Sequence, residues 1–133
     1  MTAVDTNILV RFITGDHPAQ SAAARTLLAT GKVWISKTVL LETHWVLRYS
    51  YDYEENAILG ALTSLMGLEN VRVEDEAAVV AAFSLGAQGI DLADALHLSS
   101  RPPGASFVSF DKTFVRSSTR AGALKVSTPQ MLR

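Results

Sequence analysis

The chain contains no cysteine, which removes disulfide frameworks, thiolate zinc sites and cysteine nucleophiles together. Such a composition suits a reducing compartment, and the cytoplasm is the expected location. Long apolar runs are missing too. None approaches the roughly 20 residues that a membrane-spanning helix needs, and no basic segment precedes an apolar stretch at Met1-Thr2-Ala3-Val4-Asp5. The expectation is a protein neither exported by that route nor set in a membrane. An excess of one charge is also lacking: 12 Lys and Arg face 13 Asp and Glu, for a net charge of -1. The molecule as a whole is therefore no general polyanion binder. Nucleophile elbows, phosphate-cradling Gly-Lys loops and dinucleotide fingerprints are absent, so serine hydrolysis and nucleotide cofactors find no support.

What is present suits one compact domain over residues 1–133, with 48% hydrophobic residues to build its core. Ala3-Val4 reads as a short strand that stops at Asp5-Thr6-Asn7, before a helix through Ile8 to Ile13 that Gly15-Asp16 ends. His17-Pro18 opens an alanine-rich helix to Ala29, Lys32 to Ile35 is a strand, and Ser36 caps a helix from Lys37 to Tyr49. A helix over Glu54 to Met66, a strand over Val71-Arg72-Val73 and a helix after Glu74-Asp75-Glu76 follow, with a break at Gly86 to Gly89. Asp91 opens another helix, Ser106 to Ser109 is a strand, Lys112 to Ser118 a helix, and Leu124-Lys125-Val126 the last strand. Five short strands separated by helices predict an α/β protein with a central, mainly parallel five-stranded sheet in three layers, because parallel neighbours need crossovers that helices supply. Ligands in such sheets bind at the carboxyl ends of the strands.

Four acids stand at the edges of apolar runs: Asp5, Glu42, Asp94 and Asp111. A carboxylate beside core-forming segments is costly to desolvate unless a positive charge compensates, and a divalent cation is one such charge. Each acid also has a plain structural reading. Asp5 and Asp111 could cap the helices that follow them. On a helical wheel Glu42 falls between Tyr49 and Val46 in an apolar arc, with His44 and Arg48 on the other side, so a surface position fits it poorly. Asp91 and Asp94 have capping-box spacing; Asp91 is the better cap and Asp94 the better ligand. His97, three residues after Asp94, could share its face, whereas His17 and His44 read as structural. From Arg101 onward six bases (Arg101, Lys112, Arg116, Arg120, Lys125, Arg133) face one acid, Asp111. That end is either a solvated basic face or a place for phosphates.

Taken together, Asp5-Thr6-Asn7 after the first strand, Glu42 on a mid-chain helix, Asp91-Leu92-Ala93-Asp94-Ala95 after a glycine-flanked break, and Ser109-Phe110-Asp111 after a later strand resemble the PIN-domain ribonucleases. Within them the likeness is to the VapC-type toxins of bacterial toxin-antitoxin pairs, and it covers nearly the whole chain. The resemblance implies a metal-dependent endoribonuclease in which Asp5, Glu42, Asp94 and Asp111 are catalytic and hold Mg2+ or Mn2+. Thr6, Asn7, Asp91 and Ser109 would support them. It further implies an RNA substrate, a cognate VapB-type antitoxin and a homodimer. Hard oxygen donors are in keeping with magnesium or manganese. Lys112, Arg116 and Arg120 are candidates to hold RNA phosphates, with Arg11 a further one, and Trp45, Tyr49, Tyr51 and Tyr53 are candidate interface aromatics or ordinary packing residues.

Two rivals stand beside that reading. A haloacid-dehalogenase-type phosphatase also places an aspartate after its first strand, but needs a second two positions later, where this chain has Asn7. A catalytically silent antitoxin-binding module would keep the sheet and the acids as an interaction surface only.

Overall fold

A computed structural model describes residues 1–123 and 125–132 of the chain, and Leu124, expected to begin the last strand, lies outside them. The backbone forms two compact units, one from Met1 to Glu76 and one from Ala77 onward.

The first unit is built on three parallel strands, β1 (Thr2–Ala3), β2 (Val33–Ile35) and β3 (Val71–Val73), with β2 in the middle. Thr2 pairs with Val33, and Val33 in turn with Val71. The crossovers are helical, as parallel pairing requires. Helices α1 (Thr6–Thr14) and α2 (Pro18–Thr30) lie between β1 and β2; α3 (Lys37–Tyr49) and α4 (Glu55–Met66) lie between β2 and β3. Each start has a local cause. The Asp5 carboxylate accepts from Ile8 N at 3.2 Å, the His17 imidazole Nδ1 from Gln20 N at 3.1 Å, and the Ser36 hydroxyl from Val39 N at 3.2 Å. Gly15 ends α1 in the left-handed region at φ 65°, which a residue without Cβ adopts at no steric cost, and its N–H reaches Arg11 O.

Helix α1 packs on α2 and α3, and α3 packs on α4. Leu9, Val33, Ile35, Leu40, Leu47, Ile58 and Leu62 are completely buried there. Asn70 donates from its amide to Leu28 O and Gly31 O, fixing the turn before β2 against the start of β3.

The second unit comprises α5, which begins at the unit boundary (Glu76–Ala87), α6 (Leu92–Ser99), β4 (Phe107–Val108), α7 (Lys112–Arg120), β5 (Val126–Ser127) and a short 3₁₀ turn at Pro129–Leu132. β4 and β5 pair in parallel, Phe107 opposite Val126. Phe107 meets the buried Phe114 of α7 edge to face, ring centres 5.7 Å apart.

The α/β class, the parallel direction and the five strands agree with the sequence reading. Among the described residues the strands hydrogen-bond as a three-stranded and a two-stranded sheet. Alternating elements predict strand number and direction, but partner choice depends on tertiary packing, and strands of two or three residues carry little pattern to specify it. Among the described residues no helix is long and apolar enough to cross a membrane.

Candidate active site

In the first unit the acids follow β1 and sit on α3. Asp5 immediately precedes α1, exposed, and is that helix's cap. Thr6, buried at the first turn of α1, donates its hydroxyl to the Glu42 carboxylate on α3. Asn7, next to Thr6, is exposed.

The environment of Glu42 corrects the wheel argument. The buried face of α3 is Leu40, Thr43, His44 and Leu47, and Glu42 lies exposed on the opposite side with Trp45 and Tyr49. His44 belongs inside because Glu55 of α4 takes its Nε2 between both carboxylate oxygens, each 2.8 Å away, leaving the imidazole hydrogen-bonded where an unpaired polar ring would be costly. Trp45 and Tyr49 are 57% and 67% exposed, their rings in contact at a 50° tilt with the Arg48 guanidinium over the tyrosine. Of the four aromatics proposed for an interface, these two are outside. Tyr51 instead donates to Asp16 at 2.6 Å and packs edge-on against Tyr53.

Arg11 is likewise committed. Its guanidinium holds Asp16 at 3.1 Å, Gln20 at 2.9 Å and the Tyr51 hydroxyl at 3.1 Å. The Tyr51 hydrogen bond foremost, with Asp16 adding to it, raises the Arg11 pKa; the hydrogen bonds from Tyr51 and Thr14, and then Arg11, lower that of Asp16. This network ties the end of α1 to the loop after α3.

In the second unit Asp91 caps α6, accepting from Asp94 N at 3.2 Å, so Asp94 is left to project from the first turn. Asp94 is half-buried. Burial first, then the neighbouring carboxylates of Asp91 and Asp111, raise its pKa above the ordinary aspartate value; His97 pulls it partly back. Asp111 caps α7 by accepting from Phe114 N at 3.1 Å, and its own N–H is held by the Ser109 hydroxyl at 3.0 Å. The cap reading and the ligand reading of Asp91 and Asp111 are compatible, since a cap uses one carboxylate oxygen. Lys112, Arg116 and Arg120 line the exposed side of α7, and no acid among the described residues pairs with them. Arg101 is spent on the backbone, donating to Leu98 O and Ala105 O.

One side chain of this region escaped the sequence reading. Phe110, between Ser109 and Asp111, is 78% exposed. It sits at a bend two residues past β4, where no strand periodicity places it.

The donors are hard carboxylate oxygens with no thiolate in the chain, and Asp94 lies in a negative field that only His97 offsets. That chemistry fits a divalent cation of the magnesium or manganese kind. Within either unit, no three His, Asp or Glu among the described residues are placed to hold a metal ion.

A family model described as PIN domain matches residues 2–118; the chain belongs to the PIN domain family. No curated protein matches it. Membership carries a nuclease-type, hydrolytic function on nucleic acid, and PIN-domain nucleases generally use divalent metal ions.

Proposed function

We propose that this chain, acting as one PIN-like domain over residues 1–133, is a metal-dependent endoribonuclease and the toxin of a VapBC-type pair. It works in the cytoplasm as a homodimer held in check by a VapB-type antitoxin. Its catalytic carboxylates are Asp5, Glu42, Asp94 and Asp111, which hold Mg2+ or Mn2+. The observation that carries the reading is Asp94: a half-buried carboxylate at a helix start, beside Asp91 and Asp111, with its pKa raised. A cation bound beside it would favour its charged form.

A bound divalent ion supplies a water of lowered pKa and neutralises charge on the phosphoryl oxygens. The protein's own share is to present oxygens in fixed directions. Thr6 holds Glu42 in one rotamer, Ser109 holds the Asp111 backbone, and Asp91 takes the capping duty that Asp94 would otherwise share. Lys112, Arg116 and Arg120 are suited to the RNA backbone. A carboxylate of this set is also suited to accept a proton from the attacking water.

A fluorescent RNA panel assayed with Mn2+ and with chelator, beside para-nitrophenyl phosphate, tests this. RNA cleavage that is lost on chelation and in Asp94→Asn is expected. Turnover of the phenyl ester instead points to a phosphatase, and silence on both substrates to a binding module.

A further inference from the structure

We propose that the Phe110 ring is a stacking platform for an unpaired base of single-stranded RNA, with Lys112, Arg116 and Arg120 holding the flanking phosphates. The inference rests on the nuclease reading and adds how the substrate is gripped beside Asp111.

Phe107 is turned inward onto Phe114, Val108 beside it in β4 is 39% exposed, and Phe110, at the bend just past the strand, is 78% exposed. A lone exposed apolar side chain needs no explanation. Here the surroundings are what count. The ring immediately precedes Asp111, and α7 then places Lys112, Arg116 and Arg120 four residues apart, on one stripe of the helix. All three are exposed, and none has an acid partner among the described residues. Arg116 and Arg120 line an open recess with Val115 and Thr119. After Asp94 the sequence has no acid except Asp111.

An exposed π-face followed by a row of unneutralised cations matches what single-stranded nucleic acid offers: a flat base and a phosphate at each step. A protein partner would have to bring matching acids to this row, whereas RNA carries a phosphate at every step. A base paired within a duplex cannot reach the ring, so the platform selects unpaired segments, and it tolerates any base because every base has a π-face.

The test is binding of a single-stranded RNA carrying 2-aminopurine, in chelator so that nothing is cut. It compares the full-length wild type with Phe110→Ala and Phe110→Trp. Wild type should bind and quench the fluorophore. Phe110→Ala should melt at the wild-type temperature, bind roughly tenfold more weakly and lose the quenching, while Phe110→Trp keeps both. In cleavage assays Phe110→Ala should raise KM more than it lowers kcat. Unchanged affinity and quenching in Phe110→Ala, with wild type binding RNA, overturns the proposal and leaves the nuclease reading standing. So does a Phe110→Ala protein whose only change is a shift from dimer to monomer in sedimentation. Wild type that neither binds nor cuts any RNA overturns both.

Discussion

The acids of the two units differ in how they are satisfied. In the first, Asp5 is a solvent-exposed cap and Glu42 an exposed carboxylate receiving the Thr6 hydroxyl; neither needs a further partner to be stable. In the second, Asp94 is half-buried with two carboxylates for neighbours and only His97 in its favour. The carboxylates thus stand in different surroundings, Asp5 and Glu42 exposed to solvent and Asp94 half-buried beside like charges.

The sharpest way to break this contrast is to neutralise one acid on each side. Asp94→Asn and Asp5→Asn should each lower RNA cleavage by about a hundredfold to a thousandfold. Both should also shrink the rise in melting temperature that Mn2+ gives the wild type. In chelator they should part company. Asp94→Asn should melt above wild type, because it removes a charge the fold disfavours; Asp5→Asn should melt as wild type, because asparagine caps as well as aspartate. Equal melting temperatures for all three proteins without metal would remove the distinction.

The pH dependence follows with a definite sign. The folded protein holds the Asp94 proton more tightly than the unfolded chain does. That contribution to stability is fully present below the unfolded value of 3.8 and is lost as pH rises through the raised folded value. Denaturant titrations of metal-free protein should show Asp94→Asn gaining on wild type as the pH is raised across that window. A gain independent of pH would assign the effect to packing.

Smaller effects probe the first unit. Thr6→Val keeps the shape but leaves Glu42 unbraced, and should lower cleavage roughly tenfold, with Thr6→Ser restoring most of it. Steady-state kinetics on a cleavable RNA checks this. Ser36→Ala removes the cap of α3 and should cost about 1 kcal/mol in urea unfolding, with little effect on kcat, since it disturbs the helix start and not the carboxylate.

Much of the fold was legible because its punctuation is local. Ser36 and Tyr49 bounded α3 correctly, and Gly15, His17-Pro18 and Asp91 marked the ends they were expected to mark. Strand partnership was not legible, since two- and three-residue strands carry no register signal of their own. The buried face of α3 was misjudged for a different reason. Hydrophobicity assigned Tyr49 and Val46 to the interior and His44 to the surface, but burial of His44 depends on Glu55, eleven residues away on another helix. In the site, the capping roles of Asp91 and Asp111 were readable from spacing. The bonds of Arg11 to Asp16, Gln20 and Tyr51, and of Thr6 to Glu42, depend on contacts that sequence spacing does not encode.

The most direct measurement is a carbon-detected NMR titration of the Asp94 carboxyl, first in metal-free protein and then with saturating Mg2+. The account predicts a midpoint above 3.8 without metal and a marked fall on adding it. An ordinary aspartate midpoint in both conditions would contradict it.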